Sequence, residues 1–306
     1  MPVKPLVSIV IPVFNAGTYL DLTLQSVLQQ TYENYEVILV DDCSSDGSRE
    51  RISSYLDPRF RLFINEQNRG IAFSRNRAIA ESRGKYIAIL DHDDIMLPKR
   101  LEHQVEYLEK NTDIDVLGGQ SIWIDREGNT VRDAFRMPES PDYIRTSFLF
   151  ENMYNDSEMM VRRSLLDQYG ILYQDGLLGM EDFRFWIDCS KKGRFSNLNE
   201  VVLKRRITGN NETLLTKKRH AGERRKKYME LQEFSLKKSG FELNQEELNV
   251  IHRCISEDKE NRLFSRETVR LLYSVMTKLI GQAERMDFAD GGQVRRYMKE
   301  RLERSL

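Results

Sequence analysis

The sequence predicts an α/β fold, a mostly parallel sheet flanked by helices, followed by a helical C-terminal extension. Two observations carry the prediction. Between Val7 and Leu90, short β-branched runs alternate with stretches of helical spacing, the pattern of a parallel sheet with helices on both faces. The strand-like runs are also continuously apolar, as expected of strands covered on both sides. A third observation bounds the rest: from about Thr213 the chain reads as helical and strongly charged. The α/β domain is therefore expected over residues 1–212 and the helical extension over 213–306.

Taken in order, Val7–Phe14 is the first strand. Helical spacing then places Leu20, Leu24, Val27 and Leu28 on one face. Tyr35–Val40 is the second strand, followed by the polar turn Asp41–Gly47 and a helix. Arg61–Ile64 is the third strand, Ile71–Ser82 a helix and Lys85–Leu90 the fourth strand. Beyond Leu97 the pattern changes. Asp115–Ile124 and Thr130–Phe135 read as strands around the turn Arg126-Glu127-Gly128-Asn129. Glu158–Val161 and Val201–Ile207 are further strand candidates, and a helix is expected over Glu181–Lys191. Ligands of such sheets bind at the carboxyl ends of the strands. Those ends carry Asn15, then Asp41 and Asp42, then Asn68, then Asp91 to Asp94.

Composition excludes several classes. The 306 residues are 40% hydrophobic and 31% charged, which suits a globular chain with a substantial core. The net charge of −1 gives no argument for nucleic acid, which is not expected as a partner. Cys43, Cys189 and Cys254 stand far apart without a C-x-x-C pair, so neither a disulfide framework nor a zinc site is indicated. The N-terminal stretch lacks an apolar signal region, and no segment approaches the ~20 apolar residues of a membrane span. A cytoplasmic setting is expected, with any membrane contact peripheral, at its inner face. Residues 217–227 hold seven Lys or Arg against one acid, Glu223. Such a run is either a solvated helix face or a contact for anionic lipid.

The sharpest chemical signal is Asp91-His92-Asp93-Asp94, directly after a strand. Three carboxylates within four residues repel one another, and a divalent cation relieves that conflict. Mg²⁺ or Mn²⁺ takes one or two carboxylates plus substrate phosphates. In extended backbone Asp91 and Asp93 point the same way, so one can meet a ribose hydroxyl and the other the metal. A solvated acidic turn is the plain alternative. Asp41-Asp42 either caps a helix or accepts an imide N–H such as uracil's. Phe14 is either a core aromatic or a stacking face for that base. Arg75, one turn into its helix, has the fork to hold a diphosphate, although surface arginines are more often simply solvated. Glu181-Asp182 opens a helix ahead of Phe183, Phe185 and Trp186, where acids suit the dipole or present a general base.

Jointly these segments resemble glycosyltransferase family 2, from about Val7 to Thr213. The resemblance rests on Val7–Asn15, Gln25–Tyr32, Val40–Gly47, Asn68–Gly70 with Ser74–Asn76, Leu90–Asp94 and Glu181-Asp182, in the family's order. It implies a GT-A-like fold and an inverting, metal-assisted transfer of sugar from a nucleoside diphosphate, with UDP expected, to a hydroxyl acceptor. It implies that Phe14 stacks on the base beside Pro12 and Asn15, that Asp42 binds the imide with Asp41 in support, and that Arg75 lies on the phosphate side. Asp91 then lies near the ribose, Asp93 binds Mn²⁺ or Mg²⁺, and Asp182 is the base with Glu181 its neighbour. A saccharide or lipid-linked saccharide acceptor is implied, as in bacterial polysaccharide or glycolipid synthesis, and a second copy of the chain is a further candidate partner. The family often closes this region with Tyr-Arg-x-His. Here Arg205-Arg206-Ile207-Thr208 stands, so either arginine is expected to make up part of the lost positive contact.

A nicotinamide dehydrogenase is disfavoured because Asn15-Ala16-Gly17-Thr18, not G-x-G-x-x-G, follows the first strand. A sugar nucleotidyltransferase lacks its glycine-rich, lysine-bearing loop here. The non-enzyme rival is a sugar-nucleotide-binding or scaffold protein.

Overall fold

Val7–Val13 (β1) is wholly buried and lies between Tyr35–Asp41 (β2) and Tyr86–Ile89 (β4), parallel to both. Phe60–Ile64 (β3) extends the parallel half beyond β2. The computed structural model describes residues 4–134, 137–209, 216, 218–255 and 265–303. The expected domain boundary at 212, Phe135 of the expected strand and Lys217 of the basic run lie outside the described residues.

Beyond β4 the sheet becomes mixed. The two-residue Ile95–Met96 (β5), Val116–Ile124 (β6), Thr130–Arg132 (β7), Met160–Arg162 (β8) and Phe195–Arg206 (β9) complete the order β3-β2-β1-β4-β8-β6-β9-β5, with β7 paired to β6. Pro12 is tolerated in this central strand for a geometric reason. Even-numbered residues of β1 face β4, yet that pairing ends at Val10↔Ile89, so the missing N–H of Pro12 costs no ladder bond.

The helices beside the sheet follow the apolar spacing. Tyr19–Leu28 (α1) buries Leu20, Leu24 and Val27, whereas Leu28, expected on the same face, is exposed. Ser48–Ser53 (α2), Ile71–Glu81 (α3), Arg100–Lys110 (α4) and Arg163–Tyr169 (α6) complete this unit. One core cluster packs along a single face of the sheet, from Ile9 and Leu39 to Leu117, with Leu20, Leu24 and Leu101 of the helices against it. The strand expected from Glu158 begins only at Met160. Asp156–Glu158 forms a single 3-10 turn instead, because its polar side chains are drawn inward to partners described below.

The chain divides into two compact units: Met1–Glu139, Tyr154–Gly176 and Lys192–Asn211 form the first, and Ser140–Met153, Leu177–Lys191 and Glu212–Leu306 the second. Described helices of the second unit are Pro141–Ser147 (α5), Glu181–Ser190 (α7), Ala221–Lys238 (α8), Gln245–Cys254 (α9), Arg266–Met286 (α10) and Gly291–Glu303 (α11). Helix α9 starts with a reciprocal capping box between Asn244 and Glu247. Phe150, Ile251, Leu279 and Tyr297 belong to the core of this unit.

Candidate functional site

The parallel register fixes where the chemistry gathers. Val13 pairs with Asp41 and Val10 with Ile89, so the segments leaving β1, β2 and β4 emerge along one sheet edge. That edge carries Phe14 and Asn15, then Asp42, then Asp91 to Asp94. Phe14 is 43% exposed, which rules out a core role and leaves its ring open to a ligand.

Asn15 ties the first loop to the second. Its Oδ1 accepts the Ser45 N–H at 2.9 Å and its own N–H donates to Ser44 Oγ at 3.0 Å. Ala16 and Gly17 add bonds from their N–H groups to Ser48 Oγ and Asp46. Asn15 and Cys43 adopt positive φ of 47° and 65°, conformations uncommon for residues with a Cβ and often found at functional sites. Asp41 is buried and accepts from the Arg49 guanidinium at 2.9 and 3.1 Å. Asp42 turns to the loop before α3. It accepts from Asn65 Nδ2 at 2.7 Å, Arg69 N–H at 2.9 Å and Gly70 N–H at 2.8 Å. An ionised carboxylate has about four acceptor positions, so one remains for an imide N–H.

Arg75 is not a solvated charge: it is 4% exposed. Its Nη2 donates to Asp91 at 2.7 Å, its Nη1 pairs with Asp156, and the guanidinium lies over the Tyr173 ring. Burial opposes the Arg75 charge, but Asp156 and Asp91 more than offset it and hold the group protonated. Burial likewise raises Asp91, and Arg75 overrides it, keeping that carboxyl below the usual carboxylate range.

Asp93 behaves differently. Burial and the charge of Asp91 push its carboxyl up to about 6. Among the described residues its side chain takes no hydrogen bond beyond its own backbone. Asp94 is pushed up to about 7 by burial, Asp93 and Asp91, and accepts the Arg206 N–H at 2.8 Å. No cluster of three or more protein ligands for a metal occurs among the described residues. An uncommitted carboxylate beside a second, ionised one nonetheless fits Mg²⁺ or Mn²⁺, which complete their shells with water and phosphate.

Helix α1 and the turn after it contribute Thr23, which sequence reasoning missed, and Ser26 and Gln30, which it quoted within Gln25–Tyr32 without a role. The Thr23 hydroxyl lies 2.9 and 2.8 Å from the carbonyl oxygens of His92 and Asp94. Ser26 Oγ accepts the Met96 N–H, and Gln30 bonds Leu97 O and the Leu101 N–H. His92 Nδ1 lies 3.2 Å from Pro12 O. The acidic segment is thus held from behind by a buried polar stripe.

Of the two arginines expected to supply positive charge, Arg206 lies against the acidic segment, and its charge also acts to lower Asp93. It is buried and donates to the carbonyls of Asp93, Asp125 and Arg126 at 3.1, 2.9 and 3.0 Å. Alternation along β9 turns Arg205 the other way, where its guanidinium lies over Trp123. Its charge lowers both Asp91 and Asp93.

In the second unit, α7 buries Phe183, Phe185 and Trp186. The Asp182 carboxylate accepts from Asn152 Nδ2 at 2.9 Å and the Phe183 N–H at 2.7 Å. Glu181 folds back to accept the N–H groups of Leu177 and Gly179 at 3.2 and 3.4 Å. That loop needs the clasp, since Gly176, Leu178 and Gly179 all have positive φ. Arg224, within the basic run, is buried and donates to Leu178 O. Lys218, Arg219, Arg225 and Lys226 are exposed. No described helix is long and apolar enough to cross a membrane.

Comparison with known proteins shows the family and the fold. The model of the Glycosyl transferase family 2 matches residues 8–170. An uncharacterized glycosyltransferase of Methanocaldococcus jannaschii is 38% identical over 211 residues, 67% of this chain and 71% of that one. The Escherichia coli UDP-Glc:alpha-D-GlcNAc-diphosphoundecaprenol beta-1,3-glucosyltransferase WfgD is 31% identical over 195 residues, 63% of this chain and 73% of that one. Among solved structures, S. aureus TarS 1-349 in complex with UDP-GlcNAc aligns with a TM-score of 0.66 at 17% identity, covering 97% of this chain and 89% of that one. That likeness concerns the fold, a GT-A glycosyltransferase architecture.

Proposed function

The chain belongs to glycosyltransferase family 2 and is a glycosyltransferase, and from that premise we propose that it moves a sugar from a UDP-sugar to a hydroxyl acceptor with inversion at the anomeric carbon. The observation that carries this reading is the convergence along one sheet edge of the exposed Phe14 ring, the Asp42 carboxylate and the Asp91–Asp93 pair. Phe14 stacks on the base, Asp42 accepts its imide N–H, and Asn15 with Asp41 keeps the two loops in place. Pro12 sets the end of the strand that presents Phe14. Asp91, oriented by Arg75, meets the ribose, and Asp93 holds Mn²⁺ or Mg²⁺. When bound, the cation neutralises charge that grows on the departing diphosphate.

The attacking hydroxyl is a poor nucleophile until its proton can leave. Asp182 accepts that proton as the oxygen attacks the face opposite the leaving group. Both carboxylates already accept hydrogen bonds, and Asp182 is preferred to Glu181 because it stands at the position of the family's base. UDP is expected as carrier because TarS was solved with UDP-GlcNAc. A lipid-linked saccharide acceptor, of the kind named for WfgD, fits the same reading and places the enzyme in polysaccharide or glycolipid synthesis. The exposed Lys218, Arg219, Arg225 and Lys226 then draw the protein to anionic lipid. Salt-sensitive sedimentation with anionic but not neutral vesicles is the expected result, and equal binding to both contradicts it. The donor reading is tested by UDP release from a panel of UDP-sugars with Mn²⁺ and a saccharide acceptor. Release from at least one donor is expected, and release from none contradicts the proposal.

A further inference from the structure

The 3-10 turn Asp156–Glu158 places three consecutive polar side chains at 2%, 0% and 5% exposure. Burying polar groups is costly unless each finds a partner. Each one does. Asp156 pairs with Arg75 Nη1, while Nη2 of the same guanidinium holds Asp91. Ser157 Oγ accepts the Asp91 N–H at 2.9 Å and donates to the Asp94 carboxylate. Glu158 accepts the Ser121 hydroxyl. Two of the three acids in the Asp91–Asp94 segment are thereby tied from this turn, and Asp93 is the one left for a ligand.

We propose that Asp156 and Ser157 are positioning residues of the donor site, Asp156 acting on Asp91 through Arg75 and Ser157 bracing both flanks of Asp93. The proposal rests on the UDP reading above. Its physical basis is charge division. Asp91, Arg75 and Asp156 together carry one net negative charge. With Asp156 in place the guanidinium serves two carboxylates, and Asp91 keeps a free oxygen and net negative character beside the cation–diphosphate. Without the Asp156 charge the guanidinium is countered by Asp91 alone, the pair is neutral overall, and Asp91 loses the net negative character it brings to the site. Ser157 uses both roles of one hydroxyl, accepting from one flank and donating to the other.

The test is a double-mutant cycle on wild type, Asp156→Asn, Asp91→Asn and the double variant, reading UDP affinity by calorimetry with Mn²⁺ present. Asparagine keeps the shape of Asp156 and still accepts from Arg75, so the fold is expected to survive. Asp156→Asn is expected to weaken UDP binding at least tenfold, and the double variant to bind no more weakly than Asp91→Asn alone. Residues acting through one another give such non-additivity, whereas a general loss of structure does not. Unchanged affinity in Asp156→Asn, or fully additive losses, overturns the proposal. If Asp156→Asn does not fold, Ser157→Ala takes its place, with the same tenfold loss expected and unchanged affinity refuting it. Wild-type protein that binds no UDP sinks the donor reading and this proposal together, an outcome distinct from a binding wild type with an additive cycle.

Discussion

Replacing Asp42 with asparagine challenges both the loop before α3 and the donor site. Asp42 Oδ1 takes the Asn65 amide and the Arg69 N–H, and Oδ2 takes the Gly70 N–H, all within 2.7–2.9 Å. Asparagine has a single oxygen. Seated at the Oδ1 position it keeps two of the three donors and sets its own NH₂ against Gly70 N–H. Turned over, it keeps one and opposes two. Hydrogen bonds to a charged acceptor contribute about 1.5–3 kcal/mol each. Losing one and weakening the rest in a buried position gives an expected destabilisation of about 2–4 kcal/mol. Urea unfolding followed by circular dichroism measures that loss. Titration with UDP measures the second effect, an affinity reduced at least tenfold, about 1.4 kcal/mol. Stability within about 0.5 kcal/mol of wild type, the range of an ordinary surface change, would refute the structural reasoning. A destabilised variant with unchanged UDP affinity would refute the donor role alone.

The remaining predictions concern neighbouring acids. Burial raises Glu158 from 4.5 to about 7, so the folded chain binds this proton more tightly than the unfolded one. Its stabilising share is complete below about pH 4.5 and is lost as pH rises to 7, at most about 3 kcal/mol. Glu158→Gln still accepts the Ser121 hydroxyl, and its melting temperature should exceed wild type at pH 8 but not at pH 5; identical profiles contradict this. Asp93→Ala should lower Mn²⁺-supported UDP release at least a hundredfold with the fold intact. Wild-type protein fully active in chelator contradicts the metal assignment.

Much of the site was legible because strands announce themselves and their carboxyl ends carry the acids. Asp42 and Asp91 to Asp94 fall along one edge by sequence pattern alone, since a parallel register leaves little choice. What resisted reading was polar groups that face inward. Thr23 and Ser26 on the buried face of α1, and Gln30 just past its end, recur at spacings of three and four, a signal easily passed over beside Leu20, Leu24 and Val27. Arg205 and Arg206 read alike in sequence, but strand alternation sends one over Trp123 and the other into the buried carbonyls of Asp93, Asp125 and Arg126. Arg75 stood out in the sequence, but its burial did not, because its partner Asp156 lies 81 positions away in a stretch without a motif. The short helices Pro141–Ser147 and Arg163–Tyr169 were missed for a similar reason, their two turns being too few to show a period.

Transfer rate and donor affinity measured side by side for Asp182→Asn and Glu181→Gln test the catalytic account most directly. The Asn152 amide and the Phe183 N–H bond different oxygens of Asp182, so asparagine keeps the shape and one of these two bonds but cannot take the acceptor's proton. Transfer should therefore fall about 10²–10⁴-fold while UDP-sugar affinity stays within about twofold of wild type, about 0.4 kcal/mol. Glu181→Gln should retain most of the transfer rate. Near-normal transfer in Asp182→Asn, with collapse in Glu181→Gln, would contradict the assignment of the base.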